Sequence, residues 1–118
     1  MKAEEGVAHT ADILRLLGNR VNVQIMIMLR RNAMSPRDLS QRLGKDEADI
    51  VRRLRIMQKS GLVKSAWGSR LGKNVKLYSL TTSTIGISIQ HNGMQIEYKS
   101  NANINFFFIS GVAGMGKK

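Results

Sequence analysis

Ala48, Arg52, Arg55 and Lys59 recur at intervals of four, three and four residues, and Arg70 and Lys73 bracket a leucine and a glycine in GLVKSAWGSRLGKNVKLYSL, residues 61–80. Guanidinium and ammonium groups at such spacing lie along one face of a helix and beside one loop. The chemistry open to them is charge-assisted hydrogen bonding to phosphate or to the acceptor edges of bases. Charge is distributed to match. Residues 30–76 carry 13 Lys or Arg against 4 Asp or Glu, a net +9 out of +11 for the chain of 118 residues. A middle segment that basic is the electrostatic footprint expected for a polyanionic partner, although a solvated face that only aids solubility has the same composition.

Other chemistry has little support. The chain has no cysteine, which excludes disulfides, thiolate metal sites and cysteine nucleophiles. His9 and His91 have no partner at ligand or catalytic spacing, and no acid–base pair or activated nucleophile can be assembled, so no enzyme, metal site or cofactor is expected. The C-terminal SGVAGMGKK, residues 110–118, nearly spells a phosphate-binding loop after FFFIS. Such a loop needs a Ser or Thr after its lysine and a helix beyond it. Lys118 stands where the hydroxyl should be, so a flexible basic tail is expected there, or the start of a phosphate-binding loop in a longer protein. MKAEEGVAHT lacks the apolar core of a signal peptide, and Ile104 to Val112 is shorter than the roughly 20 residues needed to span a bilayer. A cytoplasmic protein without a membrane segment is the expectation.

These basic residues need elements to hold them. Thr10 followed by Ala11 and Asp12 predicts the start of a short first helix that stops at Gly18. The segment from about Asn19 to Arg31 fits both a helix and a strand. Its length and its terminal Arg30 and Arg31 favour helix. Ser35-Pro36-Arg37-Asp38 predicts an N-cap, a proline at the first helical position and a capping-box-like reciprocal pair, with Gly44 as the exit. Asp46 is the expected cap of a fourth helix running to Lys59. There Ile50, Leu54 and Met57 form a core-facing stripe opposite Ala48, Arg52, Arg55 and Lys59, with Asp49, Arg53 and Ile56 on the flanks.

From Leu62 the period changes to two. Two strands joined by a loop over residues 68–74, too long for a two-residue turn, predict a hairpin with a protruding basic tip. Trp67 in the first strand could stack on a base, although a single strand tryptophan more often packs against a helix. A second hairpin is expected from Thr84 to Lys99, turning at His91-Asn92-Gly93, and residues 106–109 are β-prone. The methionines at 26, 28, 34, 57 and 94 read as fillers of an aliphatic core. The resulting order is a tail over 1–9, a helical and hairpin domain over 10–99, and an apolar segment with a basic tail over 100–118 that could serve dimerisation.

The run from Ile13 to Leu80 resembles the DNA-binding core of ArsR-type winged-helix transcription regulators, particularly archaeal ones. The resemblance rests on Leu16-Leu17-Gly18-Asn19-Arg20, Ser35-Pro36-Arg37-Asp38-Leu39, and Leu54 through Gly61-Leu62-Val63. It implies an α+β fold, a winged helix-turn-helix with a β-hairpin wing, here with an extra C-terminal hairpin. It implies recognition helix 46–59 in the major groove of double-stranded DNA and wing 68–74 on the backbone or minor groove. Ala48, Asp49, Arg52 and Arg53 would then approach base edges, and Arg37, Arg55, Lys59, Arg70 and Lys73 would meet phosphates. A homodimer is also implied. Metal-sensing members use Cys, His or acidic ligands, which this chain does not assemble. A winged-helix module that docks proteins, and an architectural DNA-binding protein without sequence preference, are the alternative functions that the residues allow.

Overall fold

The caps of the helices set the frame in a computed structural model that describes residues 11–81, 84–99 and 104–110. Helix α1 covers residues 11–17. Helix α2, Arg20–Arg31, begins where the Asn19 side chain accepts from the backbone N–H groups of Val21 and Asn22, at 3.0 and 3.2 Å. Asn22 is buried, and its Nδ2 donates to the Leu16 carbonyl at 3.1 Å. The helical reading of 19–31 therefore holds, with Ile25, Met26 and Leu29 turned inward.

Helix α3, Pro36–Leu43, carries the expected capping box in full: the Asp38 N–H donates to Ser35 Oγ and the Ser35 N–H to Asp38 Oδ2, both at 3.1 Å. Helix α4, Glu47–Lys59, differs at its start. Asp46 occupies the N-cap position, but its side chain makes no capping hydrogen bond, and the Asp49 carboxylate that would supply the reciprocal half of a box is engaged by Arg52 and Arg53. At the other end Leu62 N–H donates to the Met57 carbonyl and Gly61 N–H to that of Gln58, a Schellman ending that the left-handed φ of 83° at Gly61 permits. Ile50, Leu54 and Met57 are fully buried, as their spacing predicts. Together with Ile25, Leu29, Leu39, Leu62 and Val63 they make an aliphatic core for residues 15–81.

Strand β1, Val63–Arg70, pairs antiparallel with β2, Lys73–Leu80, in a register running from Val63 opposite Leu80 to Arg70 opposite Lys73. Two backbone hydrogen bonds between Met34 and Tyr78, at 3.0 and 2.8 Å, fasten β2 to the residue that precedes the α3 cap. The long 68–74 loop expected from sequence does not form. The strands continue to a two-residue turn at Leu71 and Gly72, whose φ angles of 55° and 77° match the right-handed twist of a hairpin. The expected burial of Trp67 also fails. Burial falls away along β1 after Val63, and Trp67 is 73% exposed opposite Lys76.

The chain divides into two compact units, residues 15–81 and the segments on either side of them. In the second unit β3, Thr84–Gln90, β4, Gly93–Lys99, and β5, Ile104–Ser110, form an antiparallel sheet in the order β3-β4-β5. The extra hairpin is thus extended by a third strand. Its turn is His91-Asn92, with Gly93 already paired to Gln90. The β5 pairing carries the sheet across the boundary expected at residue 100. The predicted N-terminal tail with His9, and residues 111–118 of the phosphate-loop-like stretch, lie outside the described residues.

Candidate nucleic-acid interface

The α4 stripe that enters the core fixes what its other side must show. Ala48, Arg52, Arg55 and Lys59 are all exposed, one above the next along the outer face of the helix. Ala48 leaves room for close approach by a ligand backbone or base, and the three cations continue from it. Arg37 is exposed in the first turn of α3, and Lys73 is exposed on the wing beside the turn.

Arg52 and Arg53 are neighbours in sequence with different surroundings. The Arg52 side chain is 65% exposed, and its one polar contact is an ion pair to Asp49 Oδ1. The Arg53 side chain is 19% exposed and makes three contacts, with Nε donating to Asp49 Oδ2 at 2.8 Å and Nη1 to Asn19 Oδ1 and Asn22 Oδ1, each at 2.9 Å. Asn19 is the cap of α2, so Arg53 ties the outer helix to the start of α2. The structure brings Arg53 to that junction rather than out with Arg52. Asp49 joins the two. The hydrogen bond from Arg53, opposed by partial burial and reinforced by Arg52, holds its carboxyl below the ordinary range for aspartate.

Arg70 is also engaged. Its Nη1 donates to Asp38 Oδ2 at 2.6 Å, so the wing end is tied to the capping box of α3. Burial alone would raise the Asp38 carboxyl. The Ser35 backbone N–H, the Ser35 hydroxyl hydrogen bond and the Arg70 charge outweigh it, and the group titrates below its usual range. This pair, with Arg31, Arg42, Ile27 and Met34, lines a cleft of about 690 Å³. The sequence reading does not place Arg31, Arg42 or Lys76 at the site; Lys76 Nζ lies 5.9 Å from the Tyr78 ring centroid. Alternation in β2 places Lys76 and Tyr78 on one face, which was the available signal. Among the described residues no group of three or more His, Cys, Asp or Glu side chains could hold a metal ion, and no helix is long and apolar enough to cross a membrane.

This geometry can be set beside known proteins. Residues 20–65 match the family model described as bacterial regulatory protein, arsR family. Among solved structures, HlyU from Vibrio cholerae is similar over 65% of this chain and 79% of that one, at 26% identity and a TM-score of 0.53. A search of the curated proteins finds no match. Residues 20–65 are thus similar to the helix-turn-helix of the arsR family, the fold is a winged helix-turn-helix, and the likenesses support a DNA-binding transcription regulator. The archaeal leaning of the sequence resemblance gains nothing from them, since the family model is a bacterial one and HlyU comes from Vibrio.

Proposed function

We propose, from the premise that residues 20–65 form an ArsR-family helix-turn-helix domain, that the protein reads a preferred duplex sequence as a homodimer. In this reading α4 lies in the major groove with Ala48 and Arg52 at base edges and Asp49 orienting Arg52. Arg37, Arg55, Lys59 and Lys73 meet phosphates, and the wing follows the flanking backbone or minor groove. Arg53, from its contacts, acts as a positioning residue rather than a reader. Arg70 contributes a charge shared with Asp38.

The observation that carries the reading is the bare outer face of α4, where Ala48 and three cations stand exposed directly behind a fully buried apolar stripe. Two recognition helices of a dimer would read half-sites about 34 Å apart. Ile87 and Ile89, exposed and two residues apart on β3, support the second sheet as a place where subunits meet, since an exposed apolar patch favours being covered. A regulator that meets DNA works where the DNA is held, which for this reading is the cytoplasm.

The test uses fluorescence anisotropy on a selected high-affinity duplex and on a random one. Arg52→Ala is expected to weaken the selected duplex by about 1–3 kcal/mol while changing the random duplex much less. Equal losses on both would remove Arg52 from base reading and leave the architectural alternative.

A further inference from the structure

The wing turn contains a residue that its own conformation does not favour. A two-residue turn with both central φ angles positive suits Asn, Asp or Gly at the first position. A side chain with a Cβ there crowds the following carbonyl. In this turn Gly72 meets the requirement and Leu71 does not. Leu71 is the one non-glycine residue with positive φ among the described residues. Burial does not compensate for this, because Leu71 is 95% exposed. The free protein therefore holds an apolar side chain in a disfavoured backbone conformation and in water. Conformational strain of this kind clusters at functional sites.

The surroundings of Leu71 indicate what it meets. Arg70 and Lys73 are register partners across the turn, so a cationic side chain flanks the leucine on each side. Arg70 is fixed to Asp38 at 2.6 Å, and the tip is thereby braced against α3. An apolar residue at the end of a braced hairpin, between two cations, has the chemistry of a minor-groove wedge. Lys73 meets the phosphate rail, Arg70 holds the tip against α3, and the apolar group separates a base step, bending the duplex.

We infer that Leu71 is such a wedge, pressed by the wing into a base step of the bound duplex so that the protein bends its site. Pyrimidine–purine steps unstack most easily, so a TA or CA step under the wing would be preferred, adding specificity at a position α4 does not reach. The inference rests on the DNA-binding reading.

The test compares the wild type, Leu71→Asn and Leu71→Met. Duplexes carry 2-aminopurine at a TA step flanking the selected site, or a donor and acceptor dye at their ends. The intrinsic emission of Trp67, the sole tryptophan and four residues before the tip, reports wing docking independently. The expected result has three parts. The wild type raises 2-aminopurine fluorescence and shortens the end-to-end distance. Leu71→Asn, a better fit to the turn, leaves the melting temperature of the free protein equal or higher, yet binds about tenfold more weakly, the equivalent of one leucine burial, and loses both DNA signals. Leu71→Met keeps them. Wild type and Leu71→Asn binding equally, with the same 2-aminopurine and distance signals, would overturn the wedge and leave the DNA-binding reading standing. Absence of duplex binding by the wild type at low salt would overturn both.

Discussion

Arg53→Ala should destabilise the protein far more than Arg52→Ala, although the two residues are adjacent. The Arg53 guanidinium makes three hydrogen bonds at 2.8 to 2.9 Å, and one acceptor, Asn22, is buried. Truncation takes the charged donor from Asn22, a buried residue, at about 1–3 kcal/mol, and loses a charge-assisted bond to each of Asn19 and Asp49, both partly compensated by solvent. A net loss of about 2–3 kcal/mol follows, a large share of the 5–15 kcal/mol typical of a domain. For a chain of this size it corresponds to a fall of roughly 8–15 °C in melting temperature. Arg52, 65% exposed with one i,i+3 ion pair, should cost no more than about 0.5 kcal/mol. Urea and thermal unfolding followed by circular dichroism at 222 nm measures both, and avoids relying on Trp67, which is already 73% exposed in the folded protein. Arg53→Lys keeps the charge without the fork and should recover only part of the loss. Finding Arg53→Ala within 0.5 kcal/mol of Arg52→Ala would refute the assignment of Arg53 to the α2–α4 junction.

Two further outcomes test the caps that position the site. Asp38 titrates below its ordinary range in the folded protein, so its stabilising contribution is complete above about pH 5, where the unfolded carboxyl is also ionised, and is lost as pH falls through the unfolded and then the lowered folded value. The melting-temperature gap between wild type and Asp38→Asn should accordingly be widest above about pH 5 and close progressively on acidification, and a gap independent of pH would contradict the role given to the carboxylate. Ser35→Ala removes a formed capping bond and should cost about 1 kcal/mol, whereas Asp46→Ala, whose side chain makes none, should stay within about 0.5 kcal/mol, with chemical denaturation deciding between them.

What the sequence disclosed and what it withheld divide by range. The Ser35–Asp38 box, the 19–31 helix and the Ile50, Leu54, Met57 stripe depend on residues within one or two turns of each other, and all are read correctly from spacing. Helical spacing puts Arg53 on the flank of α4 and Arg52 on its outer face, and only the family resemblance groups the two at base edges. The Arg53 partners Asn19 and Asn22 lie 34 and 31 residues away, and only the tertiary fold brings the start of α2 within reach of the Arg53 guanidinium. The Asp49 carboxylate likewise turns to Arg52 and Arg53, so no reciprocal box forms with Asp46, whose own side chain makes no cap bond. The sequence reads as a long loop at the wing because Leu-Gly is a poor match to the residues that two-residue turns favour. The strand register overrode local preference there, and that departure is what marks Leu71. Trp67 follows the same lesson, since composition alone places a tryptophan indoors while the position along β1 leaves it in water. The third strand of the second sheet was legible as β-prone, but its pairing with β4 was not.

The most direct test of the account is the affinity of the wild-type protein for a duplex as a function of salt, by fluorescence anisotropy. With Arg37, Arg55, Lys59 and Lys73 on phosphates, log affinity should fall against log salt with a slope of about −3.6 for one subunit and about twice that for a dimer, at roughly −0.9 per contact. Failure to bind any duplex at low salt, or a slope near zero, would contradict it and turn the basic middle of the chain into a surface for another partner.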